Sequence, residues 1–414
     1  MKTLAKAFTS LLILMSVITL SVSAQTAQIQ YMNEPGKANL NQFEAPKTTD
    51  VEFTGLQVRV GGDFALQFQG FTQTNSGDSL AEISPNFNLP TANLNFDVQL
   101  ADGMRMHLRT YLSSRHHSEA YVKGGYMQID KLDFISEGFA SDLMDVLRIR
   151  VGMDEYNYGD THFRRSDNAA AIYNPFVGNY LMDSFSTEPF MEVSMLNNGI
   201  IAVLGATNGR LNQSVAATDD GIALYGKVGY DSQINEDLRV RLTGSFYNST
   251  DKGTRDYLYH GDRAGGRYYG IDDGRGDFSP RINTGYAYQT AFQINPFVKF
   301  QGLEFFGVFE MASNGDDAVG GSFTQLGAEA LYRFGNNEDF YVGGRFNSVT
   351  GEFTDATPTY EVSRINVGGG WFLTDNVLTK LEYVSQTYGG DYTTGSALEG
   401  AEFSGLMLEA VISF

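Results

Sequence analysis

The sequence predicts an all-β fold, a transmembrane antiparallel β-barrel of about sixteen strands, and three observations support this prediction. From about residue 57 onward, segments of eight to fifteen residues alternate between polar and apolar side chains and end at a turn or a polar loop. The composition combines 46 glycines, 30 phenylalanines and 23 tyrosines with only 9 prolines. The last segment alternates up to a terminal aromatic residue, Phe414. Strands of about ten residues are long enough for a tilted membrane crossing.

The N-terminal part of the chain precedes the alternating segments. Residues 1–24 have the pattern of a signal peptide: two lysines, then a short apolar run at 11–20, then small residues before a cleavage point after Ala24. Residues 25–50 are polar and show no sustained period, so we expect a loosely ordered periplasmic lead-in. Residues 51–414 then form the barrel.

Composition and charge exclude several classes of protein. No later stretch approaches 18 consecutive apolar residues, so no membrane-spanning helix is predicted. The sequence contains no cysteine, which favours a barrel closed by its own hydrogen bonds over a disulfide-stabilised exported protein. The formal charge of −20 becomes −22 without residues 1–24, which carry Lys2 and Lys6 and no acid, and such acidity argues against nucleic acid as a partner.

The alternating segments are sixteen in number, and an even number is expected for single-chain bacterial barrels. They are residues 57–73, 91–101, 104–114, 120–130, 146–154, 187–196, 200–208, 221–232, 238–250, 281–294, 303–313, 323–334, 340–350, 360–372, 377–388 and 401–414.

The links between these segments differ in length. Most of the alternate links along the chain are short and rich in turn-forming residues, the strongest local signal for hairpins. The short links are 102–103, 197–199, 233–237, 335–339 and 374–376, and the longer ones include 155–186, 251–280 and 389–400. Short turns on one side and long loops on the other are typical of outer-membrane barrels.

Alternation places the strand arginines on the polar faces. An arginine facing hydrocarbon costs about 2–4 kcal/mol near the midplane, so these faces should line a water-filled lumen. Four of the arginines should form one basic strip on nearly adjacent strands, and further charged residues face the lumen elsewhere. The strip is Arg105, Arg109, Arg148 and Arg150, and the secondary lumenal residues are Arg239, Arg241, Arg345, Arg364 and Glu409.

A second interpretation of the same charges is that they hold the wall in shape. In that case acidic side chains neutralise the arginines in a lattice of lumenal ion pairs. The candidates are Asp97, Glu192, Glu304, Glu310 and Glu409. Both interpretations can hold at once.

The architecture resembles the Gram-negative outer-membrane porin family: sixteen strands, a long third outer loop at 155–186, and the terminal Phe414. The arginine-bearing faces are loosely similar to those of phosphate-selective porins. The resemblance covers residues 51–414 as an architecture, and no motif is diagnostic of a subfamily.

The resemblance implies a third loop that folds into the lumen and narrows the pore. Arg164 and Arg165 would then lie near the constriction and face the basic strip. Asp160 and Asp167 keep part of the acidic third loop of general porins, from which the two arginines depart. The resemblance also implies the outer membrane of a Gram-negative bacterium, contact with its lipid, a homotrimer, and recognition of the C-terminal strand ending at Phe414 by the barrel-assembly machinery.

The expected function is a passive diffusion channel for small hydrophilic solutes with weak to moderate anion preference. One alternative is a substrate-specific uptake channel for phosphate, another anion or a sugar, with a stacking platform for the sugar built from aromatic residues of the third loop. These are Tyr156, Tyr158, Phe163 and Tyr173. The other alternative is a barrel sealed by its loops that serves as an anchor or adhesin.

Signals for catalysis, cofactors and metals are weak. His107 and His162 have no spacing that suggests a hydrolase, so no enzyme is predicted. The adjacent pair His116-His117 points to opposite faces of a strand, and residues 272–277 hold only a fragment of a calcium-loop spacing. No metal site or cofactor is predicted.

Overall fold

The computed structural model describes residues 27–88, 90–113, 120–167, 169–210, 221–250, 256–260, 268–271, 278–279 and 281–414. The predicted signal peptide (1–24), the pair His116-His117 and the acidic segment 272–277 lie outside these described residues. In the described part of the chain, no helix is long and apolar enough to span a membrane.

Sixteen antiparallel strands among the described residues form one closed sheet, as the sequence predicts. They are β1 (Gln57–Thr74), β3 (Thr91–Ala101), β4 (Met104–Ser113), β5 (Ala120–Ile129), β6 (Leu147–Glu155), β7 (Thr187–Asn197), β8 (Ile200–Thr207), β9 (Ala223–Gln233), β10 (Leu238–Ser249), β13 (Gln289–Phe300), β14 (Leu303–Asn314), β15 (Ser322–Phe334), β16 (Phe340–Glu352), β17 (Tyr360–Thr374), β18 (Val377–Gly389) and β19 (Glu402–Ser413).

A few short elements lie outside this ring. Three strands have two residues each: β2 (Asn86–Phe87), β11 (Tyr268–Tyr269) and β12 (Phe278–Ser279). One short α-helix and three 3₁₀ turns complete the described elements. The helix is Ser141–Met144, and the turns are Gly36–Asn39, Thr161–Arg164 and Asp391–Thr393.

The sheet closes because β1 pairs with both β3 and β19. Asp63 of β1 lies opposite Ser413 of β19. Beyond the strand, Gly62 donates its N–H to the carbonyl of Phe414 at 3.0 Å and accepts the N–H of Phe414 at 3.1 Å. The ring therefore pairs the two ends of the barrel domain.

The two faces of the strands differ as the alternation predicts. In β19, Leu406 and Leu408 are 52% and 50% exposed, whereas Met407 between them and Glu409 after them are 0% and 2% exposed. The same division holds in β1, where Val58 and Val60 are exposed and Arg59 is buried. The apolar face is thus the outer surface of the barrel, and the polar face lies inside.

Fifteen of the sixteen described strands lie within two residues of their predicted bounds, and β13 is the exception. The prediction places it at 281–294, and the structure places it at Gln289–Phe300. The predicted segment ends before Asn295-Pro296, and proline cannot donate to a strand ladder. The structure accommodates it because the Asn295 side chain donates to the carbonyl of Gly307 at 3.2 Å, opposite a gap in the β13–β14 register.

The hairpin between β7 and β8 shows how the short links turn. Asn198 and Gly199 have φ values of 48° and 84°, the left-handed conformation that a two-residue type I′ turn requires. A Cβ atom on Gly199 would lie 2.5 Å from the carbonyl oxygen of Asp231, so this position needs glycine.

The N-terminal segment, which we define as residues 27–50, differs from the expected loosely ordered lead-in. Tyr31 and Phe43 are 8% and 4% exposed, and polar side chains of the segment bond to inward-facing residues of the strands. The polar composition that suggests disorder is here matched by charged partners distant in sequence, which no local pattern reveals.

Candidate functional site

A cavity lies along the inner faces of β1 and β3–β7, bounded on its other side by the N-terminal segment and by parts of residues 155–173. The volume that water can occupy in it is about 260 Å³. The charged residues and histidines that line it come from seven parts of the chain. They are Arg59, Arg105, Arg109, Arg148 and Arg150, then Glu44, Asp63, Asp97, Glu155 and Glu192, with His107 and His162.

The four arginines of the predicted basic strip all line this cavity. Strand register brings them together, because Arg105 of β4 and Arg150 of β6 both lie opposite Gln128 of β5. Arg105 also donates to the Gln128 side chain at 2.7 Å. The strip is therefore a continuous set of neighbouring side chains.

A fifth arginine, Arg59, extends the strip and is not among the predicted site residues. It lies opposite Asp97 in the β1–β3 register and is 6% exposed. Among the described residues it forms no ion pair within 4.0 Å. The alternation of Val58, Arg59 and Val60 carries the signal that could have identified it.

The other strip arginines are paired with acids, as the lattice interpretation expects. Arg105 lies 3.7 Å from Asp97, and Arg150 lies 3.5 Å from Glu192. Arg148 donates to Asp130 at 2.9 Å, and so its charge is neutralised beside the cavity.

Arg109 links the strip to the third loop. Its guanidinium lies 3.0 Å from Asp167 of the loop and 3.4 Å from Asp154 at the end of β6. Asp167 also bonds to Lys123 of β5, which points inward at a register shift between β4 and β5. Of the four predicted site residues in the loop, Asp167 is the one that contacts the strip.

Asp160 of the third loop binds a different part of the wall. Its carboxylate accepts hydrogen bonds from Arg241 and Thr243 of β10 and from Lys227 of β9, at 2.7–2.8 Å. Burial alone would raise the pKa of Asp160, but the positive charges of Arg241 and Lys227 outweigh burial and hold that pKa well below its usual range. The loop is thus fixed to this side of the barrel by a charged cluster.

Glu44 of the N-terminal segment belongs to the same cluster. It accepts hydrogen bonds from Arg241 at 2.7 and 3.0 Å and lies 3.5 Å from Lys227. Burial raises the pKa of Glu44, but Arg241 and Lys227 outweigh that effect and hold it at about 2. Glu44 is therefore ionised at neutral pH.

Arg164 and Arg165 do not face the basic strip, contrary to the expectation from the resemblance. Arg164 donates to Glu329 of β15 at 2.6 Å and lies 3.7 Å from Glu304 of β14. Arg165 forms a bidentate pair with Asp183 of its own loop, at 2.6 and 2.8 Å. Their acidic partners are far away in sequence or inside the loop, so spacing alone could not place them.

The secondary lumenal residues lie on the inner wall and contact the loop, an acid or both. Arg345 donates to Glu329 and to the carbonyl of Gly178, and Arg364 donates to the carbonyl of Asn179. Glu409 accepts from Lys380 at 2.7 Å. Arg239 pairs with Asp231 at 2.7 Å, and Arg241 lies 3.1 Å from the same carboxylate.

The aromatic residues proposed as a sugar platform separate into two groups. Tyr156 and Tyr158 are buried in a cluster with Tyr225 and Tyr247. Phe163 and Tyr173 line the cavity. A continuous aromatic track along the passage is therefore not formed by these four residues.

Histidines contribute hydrogen bonds to the cavity wall. His107 lies 2.8 Å from Asp97 through Nδ1, and His162 lies 3.1 Å from Asn157 through Nε2. Within the described ranges, no group of three or more histidine or acidic side chains is arranged to hold a metal ion.

Comparisons with known proteins identify the fold. Neither protein-family models nor curated proteins give a match. Among solved structures, OmpT of Vibrio cholerae is similar at 10% identity, over 88% of this chain and 99% of that chain, with a TM-score of 0.53. An anion-selective porin from Comamonas acidovorans is similar at 10% identity, over 87% and 100%, with a TM-score of 0.54.

Two further solved structures add to this likeness. OprB of Pseudomonas putida is similar at 10% identity, over 87% of this chain and 94% of that chain, with a TM-score of 0.53. A trimer form of Vibrio cholerae OmpT is similar at 9% identity, over 87% and 100%, with a TM-score of 0.52. At these identities the likeness shows the fold: the chain has the closed sixteen-stranded barrel of outer-membrane porins, which fits an outer-membrane location.

Proposed function

We propose that the chain forms a passive diffusion channel for small hydrophilic solutes in the outer membrane of a Gram-negative bacterium. The observation that carries this proposal is the cavity, with about 260 Å³ open to water, along the arginine-bearing wall of a porin-type barrel. A polar, solvent-connected space inside an apolar outer surface is the arrangement that aqueous channels require. No enzymatic role is part of the proposal.

We infer that the third loop narrows this channel from the side opposite the strip. Its residues bond to inward-facing side chains of several strands: Val177 N–H to Glu382, Leu181 N–H to Asn347, and Tyr158 to Glu310. These contacts occupy the wall of β14–β18, so the free space is left beside β1 and β3–β7. The passage would therefore run along the arginine strip.

The charges of the lining support a weak anion preference. Five arginines and five acids line the cavity, so their formal charges balance. Arg109 and Arg150 have side chains 16% and 15% exposed, whereas Asp97 and Glu192 are 3% and 1% exposed. Glu155, at 27%, and Glu44, at 11%, offset this difference. The anion preference is therefore proposed from the corner of the cavity where Arg59 and Arg105 lie beside a single acid, Asp97.

Single-channel recording in planar bilayers tests the proposal. We expect a stable conductance. Under a salt gradient, the reversal potential should be displaced towards the equilibrium potential of chloride. A charge about 5 Å from a passing ion in water changes its energy by about 0.8 kcal/mol, which is about a fourfold change in local ion concentration. Arg59→Gln and Arg150→Gln should therefore shift the reversal potential towards cations, most strongly at low salt.

Lys299→Gln is the matched control for these two variants. It removes one positive charge outside the cavity, where Lys299 pairs with Glu338 at 2.6 Å, so the reversal potential should stay at the wild-type value. A clear cation preference of the wild type would refute the predicted selectivity. The absence of any conductance would refute the channel and favour a sealed barrel that serves as an anchor.

A second candidate function is saturable uptake of a small oxyanion, favoured by one cluster. Arg59 Nε, Arg105 Nε and His107 Nε2 are buried atoms without a hydrogen-bond partner in the described structure. They surround a single acid, Asp97, so this corner carries more positive than negative groups. A block of the current by inorganic phosphate that saturates as the phosphate concentration rises would support uptake. A block that rises strictly linearly with phosphate concentration would support passive diffusion without a binding site.

We also propose that three copies associate, supported by the trimer form of the similar OmpT structure. The mass of the protein–detergent complex, measured by light scattering, distinguishes a trimer from a monomer. Contact with outer-membrane lipid follows from the apolar outer face and belongs to the same proposal.

A further inference from the structure

The N-terminal segment crosses the end of the barrel that carries the short turns. Near its start, the Gln30 side chain accepts the N–H of Gly103 at 2.9 Å, in the β3–β4 turn. The N–H of Lys37 then donates to the carbonyl of Asp375 at 2.7 Å, in the β17–β18 turn. Between these two contacts the segment passes from one side of the ring to another.

The middle of the segment reaches the inner wall. Asn41 donates to Glu304 of β14 at 2.6 Å, and its carbonyl accepts from Arg239 of β10 at 2.9 Å. Phe43, at 4% exposure, packs edge-on against Phe163 of the third loop and Phe297 of β13, with ring centroids 5.6 and 5.4 Å apart. The segment therefore contacts the third loop and the wall together.

The segment then returns to the side of the arginine strip. Arg148 donates to the carbonyls of Ala45 and Pro46 at 2.8 and 2.7 Å. Lys47 pairs with Asp130 at 3.0 Å, and both side chains are at least nine-tenths buried. Arg148, predicted as a pore charge, is thus also an anchor for the N-terminal segment.

Phe43 and Glu44 of the N-terminal segment line the cavity, and both side chains also contact the barrel wall. The Arg241 guanidinium lies 4.1 Å from the centroid of the Phe43 ring and also bonds to Glu44. One residue thus supplies bulk and the next supplies negative charge at the same level of the passage.

We propose that the N-terminal segment is a second constriction of the channel, and that Phe43 and Glu44 determine its size limit and part of its charge selectivity. This inference rests on the proposed channel function. It differs from the third-loop constriction because it lies at the short-turn end and is formed by residues that precede the barrel.

The first test compares the mature chain with a deletion of residues 29–47 in planar bilayers. Because pore diameter sets the current, we expect the deletion to raise the single-channel conductance about twofold or more. Full-length variants guard against misfolding of the deletion. Phe43→Ala should raise conductance, and Glu44→Gln, which removes a negative charge of unchanged size, should shift the reversal potential towards anions.

Matched controls lie a few residues further along the chain. Phe53 is 39% exposed and Glu52 is exposed, so Phe53→Ala and Glu52→Gln should leave conductance and reversal potential unchanged. Equal conductance of the wild type, the deletion and Phe43→Ala would overturn the inference and leave the channel proposal in place. A closed wild type with a conducting deletion would support the inference and refute a constitutively open channel.

A second readout does not depend on conduction. Since the sequence contains no cysteine, a single introduced thiol is labelled uniquely. Phe43→Cys should react slowly with a bulky maleimide, and Ala38→Cys, at an exposed position of the same segment, should react fast. Equal labelling would overturn the inference whatever the currents show, whereas protected labelling with no current from any variant would refute the channel alone.

Discussion

Replacing Asp160 with asparagine tests whether buried charge fixes the third loop to the wall. The carboxylate is fully buried and accepts two bonds from Arg241 and one each from Lys227 and Thr243. Asparagine keeps the size of the side chain and removes the charge. The two cations then remain buried. The acids still close to them are Glu44, at 2.7 Å from Arg241 and 3.5 Å from Lys227, and Asp231, at 3.1 Å from Arg241.

The structure sets the expected magnitude. Removing one partner of a buried charge pair costs about 3–5 kcal/mol, and we expect the lower end, about 3 kcal/mol, because Glu44 and Asp231 still balance part of the charge. The control is Asp102→Asn, which breaks the pair between Asp102 and Lys131 at 2.7 Å, where the side chains are 37% and 39% exposed. Such exposed pairs contribute about 0–1 kcal/mol.

The assay is unfolding of the purified proteins in detergent, followed by the mobility difference between folded and unfolded barrels. Because the pKa of Asp160 is lowered, its contribution to stability is fully present above its ordinary value of 3.8 and is lost only as the pH falls through the folded value. The difference between wild type and Asp160→Asn should therefore be constant near neutrality and shrink in strong acid. Equal effects of the two substitutions would refute the reasoning.

Two other predictions concern the barrel itself. Gly199→Ala should destabilise the protein by about 1–3 kcal/mol, because it combines a positive φ with a clash against Asp231, whereas Gly244→Ala, with no atom within 4 Å of its Cβ position, should be neutral in the same unfolding assay. Phe414→Ala should lower the amount of folded barrel in cell membranes without affecting refolding in detergent, if the assembly machinery reads this side chain, which is 53% exposed. Phe334→Ala, at a 41% exposed aromatic position, is its control; an equal loss from both variants would contradict a specific role for Phe414.

The strands could be predicted because their signal is local. Each strand carries its own alternation of polar and apolar residues. Because hydrocarbon surrounds the barrel, the apolar face must point outward and the polar face inward, as in residues 406–409. β13 was misplaced where a proline interrupts the ladder and the Asn295 side chain supplies the missing hydrogen bond. A side chain that replaces a backbone group is a tertiary event, and alternation does not report it.

The interior could be predicted only in part. Alternation placed Arg105 and Arg150 on the cavity wall, but it could not show which acids neutralise them. Arg164 pairs with Glu329, and Glu44 pairs with Arg241, although the partners are far apart in the sequence. These pairings depend on how the third loop and the N-terminal segment cross the barrel. The alternation of polar and apolar residues does not predict either path.

The closed ring of strand pairings has a consequence for how copies of the chain meet in a bilayer. Every one of the sixteen described barrel strands has a neighbour on each side, so no backbone ladder is left open to receive a strand from another molecule. Lateral association must then depend on the shape of outward side chains and on the lipids between them. Such contacts are adjustable by single surface substitutions that leave the hydrogen-bonded wall untouched.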